Sequence, residues 1–161
     1  MSVPKVYLET TMFSFYYETR LWPSYRIYKA QVRRIFDLMK SGKYEPYTSP
    51  YATNEIAREP VPSKRENMEA LVKDFEVKLL DVTDEVERLA GLYVQEGAIP
   101  PAYGTDAAHI AITAVNGLDF IVSLNFSHIA RAWTIERVRR VNVRENYKGI
   151  GIYKPAEVLA L

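Results

Sequence analysis

The alternation of apolar and polar positions divides this chain into short buried strands and longer amphipathic helices. "KVYLE" near the start is a compact apolar run that stops on a carboxylate, the pattern of a strand. "FSFYYETRLW" is rich in aromatics and predicts a helical turn followed by a loop. From Ser24 to Lys40, apolar residues fall at Tyr28, Val32, Ile35, Phe36 and Met39, which is helical spacing, and Ser41-Gly42 supplies a stop. "YEPYTS" predicts a second, short strand, because Pro46 suits a strand start. Ser49-Pro50 signals the next helix, running to about Arg58 and broken at Pro60-Val61-Pro62.

Ser63-Lys64-Arg65-Glu66 has the form of a capping box and predicts a further helix. "VKLLDV" reads as a third strand. "TDEVERLAGLYVQEG" reads as an amphipathic helix with Val86, Leu89, Ala90 and Tyr93 on one face. After the loop "AIPPAYG", Thr105 is placed to cap "DAAHIAITAVNG", which ends at Asn116-Gly117 as helices often do. "LDFIVSL" is the most continuously apolar strand. A basic helical segment from about His128 to Tyr147, a fifth strand in "GIGIYKP" and a terminal turn complete the chain. Strands separated by helical crossovers imply a parallel sheet. The expectation is one α/β domain over residues 1–161, a three-layer α/β/α sandwich with about five strands in the order 3-2-1-4-5.

That order makes the carboxyl edge between strands 1 and 4 a switch point, where open α/β sheets bind ligands. Glu9 ends strand 1 and Asn125 lies just past strand 4. The helix feeding strand 4 is about 16 Å long, close to a strand's length, so Asp106 at its start lies near the same edge. Glu55 lies about 7 Å down the helix after strand 2, within side-chain reach. Glu59 and Glu45 are alternatives to it. Glu9, Glu55, Asp106 and Asn125 together form an oxygen-only set that suits Mg²⁺ or Mn²⁺. His109, three residues after Asp106, reads foremost as a hydrogen-bonded core histidine and second as a ligand or base. Asp106 also has a plain reading as a helix N-terminal charge, and Asn125 as a turn residue.

Composition narrows the chemistry. There are no cysteines, which removes thiolate catalysis, disulfides and cysteine metal sites and suits a reducing cytoplasm. The net charge is +1, so any nucleic-acid surface has to be local. Arg137, Arg140, Arg144 and Lys148 recur at steps of three and four, a candidate basic stripe for nucleic-acid phosphates. The dense run Phe13, Phe15, Tyr16, Tyr17 and Trp22 is either local core or a surface for bases, a partner peptide or a second subunit. No apolar run has the roughly 20 residues of a membrane helix, and no signal-peptide hydrophobic region is visible at the N-terminus.

The stretches "VYLETTMFSFY", "SPYATNEIA" and "GTDAAHIAITAVNGLDFIVSLNFSHIA" together resemble PIN-domain proteins, most of all the VapC-type toxins of type II toxin–antitoxin pairs. The resemblance covers nearly the whole chain in order, and Gly104 to Ala130 is its most specific part. It implies a Mg²⁺- or Mn²⁺-dependent endoribonuclease, cytoplasmic and free of the membrane, with RNA as substrate, a cognate antitoxin as partner and a homodimer as a candidate assembly. The family's acidic positions map to Glu9, Glu55 and Asp106, and the fourth, often Asp, to Asn125. Glu9, Asp106 and Asn125 would hold the metal, with Thr10, Thr11 and Ser123 behind them. Glu for Asp at the first position and Asn for Asp at the fourth are departures that weaken the case for a second ion. The main alternative keeps the fold and loses the chemistry, as a PIN-like module that binds RNA or protein without cutting. A phosphoacceptor domain built on Asp81 is a weaker rival, because it leaves Asp106 unexplained.

Overall fold

In the computed structural model, which describes residues 2–161, five parallel strands form one sheet in the order β3-β2-β1-β4-β5. The strands are β1 (Lys5–Leu8), β2 (Glu45–Thr48), β3 (Lys78–Leu79), β4 (Phe120–Val122) and β5 (Gly151–Tyr153). The helices are α1 (Thr10–Tyr16), α2 (Pro23–Lys40), α3 (Pro50–Ala57), α4 (Pro62–Asp74), α5 (Asp84–Gln95), α6 (Gly104–Val115), α7 (Ala132–Arg144) and α8 (Pro155–Leu159). The fold class and strand order are those expected from the sequence.

Strand alternation sorts the core into two layers. Tyr7, Ile121 and Ile152 face one side and pack with Val86, Leu89 and Tyr93 of α5, Ile110 and Ala111 of α6, and Val138 and Val141 of α7. Val6, Leu8, Phe120 and Val122 face the other side, against Met12 and Phe13 of α1, Val32, Ile35 and Phe36 of α2, Leu71 of α4 and Val158 of α8. β1 is buried by both layers and is the sheet's centre. Its register pairs Leu8 with Val122, so β1 and β4 end level. The chain leaves β1 toward β2 on one side and reaches β4 on the other, which leaves the crevice at their carboxyl ends.

Several local expectations are corrected. The helical turn expected from Phe13 belongs to a longer helix, α1, that already begins at Thr10, and the expected loop follows it over residues 17–22. α4 begins at Pro62 with Val61 at its N-cap, which places Ser63 inside the first turn and leaves no capping box there. Pro at the first helical position starts the helix two residues earlier than a Ser63 cap would. Thr105 does not cap α6 either. A 3-10 turn at Pro101–Tyr103 runs straight into α6 at Gly104, and Tyr103 holds the N-cap position. By contrast Ser49 and Thr83 accept from Tyr51 and Val86 amides as true caps of α3 and α5. The basic segment becomes helical only at Ala132, after tight turns. Phe13 is buried and Phe15, Tyr16 and Tyr17 are half-buried against the second layer, whereas Trp22 is 67% exposed. Most of the aromatic run is therefore core.

Candidate metal centre

Glu9 follows β1 directly, and its amide donates to the Val122 carbonyl of β4 at 3.3 Å. This strand-end position turns the side chain inward, and it is only 3% exposed. Its Oε1 accepts from Thr11 Oγ1 at 2.5 Å and from Ser123 Oγ at 2.6 Å. Thr11 Oγ1 also accepts from the Leu124 amide, and Ser123 Oγ accepts from the Asn125 amide. The two hydroxyls thus tie Glu9 to the loop leaving β4. Burial pushes the Glu9 carboxyl above the usual carboxylate range, against the opposing pull of His109 and the two hydroxyls.

Glu55 enters from α3. Its Oε1 accepts from Thr10 Oγ1 at 2.7 Å and lies 2.7 Å from His109 Nε2. Burial raises its pKa, but the His109 contact and the Thr10 hydroxyl outweigh that, and the carboxyl falls below its ordinary value. One donor atom each from Glu9, Glu55 and His109 lies within 4.8 Å of the others, so this buried group could hold a metal ion. Each glutamate spends Oε1 on two donors. Among the described residues, no hydrogen bond reaches either Oε2.

Asp106 stands in the first turn of α6, as expected, and is partly buried. Its Oδ2 is 3.2 Å from His128 Nδ1, and the Asn125 side chain also bonds to it. Burial raises its pKa, opposed by His109, His128 and Asn125, with Glu55 adding repulsion. The Asn125 Oδ1 accepts from the His128 amide at 3.0 Å, so this oxygen shapes the turn after β4. The four sequence candidates therefore fall into two adjoining groups. Glu9 and Glu55 gather around His109, and Asp106 and Asn125 gather around His128. Ser123 joins them, bonding Glu9 on one side and the Asn125 amide on the other.

His109 is fully buried and hydrogen-bonded at both nitrogens, so the core reading holds and the ligand reading rests on the same ring. Its presence makes the closest group a mixed nitrogen–oxygen set rather than the oxygen-only set expected. His128 and Tyr7 carry no sequence signal for the site, and Ser49 carries only that of a helix cap. His128 follows Asn125 by three residues and had only that proximity to mark it. Tyr7 meets His109 from 102 residues away along the chain and Ser49 meets Tyr7 from 42, and no local pattern carries such contacts. Glu45 pairs with Lys78 and Glu59 follows the end of α3, so Glu55 is the α3 carboxylate that reaches the crevice.

The basic stripe is corrected in one member. α7 ends at Arg144, and Lys148 lies beyond it, donating to Gly117 O and pairing with Asp119 beside the amino end of β4. That is the edge opposite the acidic crevice. Arg137 stacks on Trp133, Arg140 pairs with Glu136, and Arg144 pairs with Glu96 and Glu145. Arg137, Arg140, Arg144 and Glu96 line one open depression. No described helix is long and apolar enough to cross a membrane. No protein-family model matches this chain, and no curated protein does.

Proposed function

We propose that this chain is a PIN-like, Mg²⁺- or Mn²⁺-dependent endoribonuclease, the toxin of a toxin–antitoxin pair. One observation carries the reading. A buried glutamate at the end of β1 and a half-buried one from α3 converge on His109 at the sheet's switch point, with Asp106 across the same crevice. The sequence resemblance supplies the reaction class, and the crevice supplies a chemically suitable place for it.

Bound there, a divalent cation would polarise a phosphoryl oxygen and lower the pKa of a water. The chain's own residues have separable tasks. Glu9 and Asp106 would hold the ion, which would offset the cost that burial, the first cause of their raised pKa values, puts on their charged forms. Glu55, the readily ionised member, orients the attacking water. Thr10, Thr11 and Ser123 fix the carboxylates in place. Asn125 holds Asp106 and shapes the turn. Arg137, Arg140 and Arg144 are the phosphate-contacting side chains in this reading, and a cognate antitoxin meets the exposed Leu21, Trp22 and Ile27.

The test is cleavage of a structured RNA with Mn²⁺ titrated in. The reading predicts cation-dependent cleavage that a chelator stops and that Glu9→Gln abolishes. Full cleavage by Glu9→Gln would remove the assignment. A second reading is favoured by the neutral Asn125, whose Oδ1 is already spent on the His128 amide. It is a PIN-like module that binds RNA or a protein without cutting, and it predicts RNA retention with no cleavage at any cation concentration.

A further inference from the structure

Tyr7, Ser49 and His109 form a buried polar chain that the proposed chemistry does not use. All three are fully buried: Tyr7 in the central strand, Ser49 at the cap of α3, and His109 in α6. Tyr7 OH is 2.7 Å from Ser49 Oγ and 2.7 Å from His109 Nδ1. Ser49 Oγ also accepts from the Tyr51 amide at 3.2 Å. The other ring nitrogen, Nε2, is 2.7 Å from Glu55 Oε1, which already accepts from Thr10. The polar run thus extends without a gap from α3 through β1 and α6 and back to α3.

Counting protons along this run restricts it. A nitrogen and a carboxylate oxygen at 2.7 Å share one proton. An oxygen that carried it could still accept from Thr10, but despite burial the His109 contact and the Thr10 hydroxyl hold the Glu55 carboxyl below its ordinary value, and an ionised Oε1 has no proton to give. Placing it on Nε2 satisfies every member. The ring then donates to Glu55, and Tyr7 OH can donate to a bare Nδ1 while accepting from Ser49.

We propose that His109 is the positioning residue for Glu55, held through Nδ1 by Tyr7 and Ser49, and is not itself a ligand of the cation. The inference rests on the metal-site reading above and deepens it. With Nε2 carrying a hydrogen, the ring has no lone pair to offer there, and Glu55 is left with Oε2 for the crevice. The donor set at the cation is then carboxylate oxygen alone. Such a set selects Mg²⁺ or Mn²⁺ over Zn²⁺, for which an imidazole donor is an advantage. The metal-suited triangle of Glu9, Glu55 and His109 becomes one ligand, the carboxylate that orients the water, and the ring that aims that carboxylate.

Long-range proton–nitrogen correlation spectra of the ¹⁵N-labelled protein test this, first without metal and then with Mg²⁺ and Zn²⁺. The expected result is a protonated Nε2 on His109 in all three, with Nδ1 bonded to Tyr7. A bare Nε2 in the metal-free protein, or loss of its proton on adding either cation, overturns the proposal. Tyr7→Phe and Ser49→Ala test the relay. Tyr7→Phe should speed exchange of the Nε2 proton and weaken Mn²⁺ binding by about tenfold, as the loss of an outer hydrogen-bond partner typically does. Unchanged exchange and unchanged affinity in both variants overturn it. If Mn²⁺ does not bind the wild type, the metal-site reading fails, while the metal-free spectrum still decides where the proton sits.

Discussion

Glu9 and Glu55 sit side by side, yet their carboxyls are shifted in opposite directions, and the stability of the fold should follow. Glu9 is raised above its ordinary 4.5 and Asp106 above 3.8, burial being the first cause in each. For a carboxyl raised on folding, stability is present below the ordinary pKa and is lost as pH rises toward the folded value. Glu55 is lowered, so its contribution is present above the ordinary value and is lost as pH falls through the folded one. Glu9 faces Glu55, His109, Ser123 and Thr11, and the variant Glu9→Gln removes one of the two clustered charges. Metal-free Glu9→Gln should melt above wild type at pH 7 and level with it near pH 4. The shift is about 2–4 °C for each kcal/mol that burying the Glu9 charge costs. A variant that melts lower at pH 7 would contradict the burial account. Ser123→Ala removes one of the two donors to Glu9 Oε1 and should weaken Mn²⁺ binding by about tenfold, read by calorimetry. The carboxylates were legible because each stands at the end of an element or within a turn of its start. The histidine that gathers them was legible only as core, because its role is made by contacts remote in sequence.

Helix α6 brings both halves of the crevice together, with Asp106 and His109 three residues apart on one rigid rod. Its residues from Ala107 to Ala114 are buried, and α5 supplies much of the packing through Val86, Leu89 and Tyr93. Leu89→Ala should therefore cost about 2–5 kcal/mol, seen as a lower denaturant midpoint. Saturating Mn²⁺ should recover part of the loss, because it binds the folded state alone. The apolar face of α5 was readable from spacing, and all four of its expected residues are buried. The start of α6 was not, because a 3-10 turn feeds the helix and Thr105 falls inside it. The third strand shrank to two exposed residues at the sheet's edge, where little packing demands more.

Helical crossovers between successive strands imply a parallel sheet, and 3-2-1-4-5, the arrangement expected among those such a sheet admits, is the one the structure has. The surface was less legible. Arg137, Arg140 and Arg144 do share α7, but their pairing with Glu96, Glu136 and Glu145 moderates the charge they present. If these arginines meet phosphate, Arg137→Gln with Arg140→Gln should lower the salt dependence of single-stranded RNA binding. The slope should fall by about 1.4, or roughly 0.7 for each contact. An unchanged slope would move the RNA path elsewhere on the molecule. The claim on which the rest depends is that the crevice at the ends of β1 and β4 holds a hard divalent cation. Anomalous diffraction from a crystal soaked in Mn²⁺ measures this directly. The account predicts one peak within about 2.5 Å of carboxylate oxygens of Glu9 and Asp106, with His109 outside the coordination sphere. A peak on His109, or none in the crevice at saturating Mn²⁺, would contradict it.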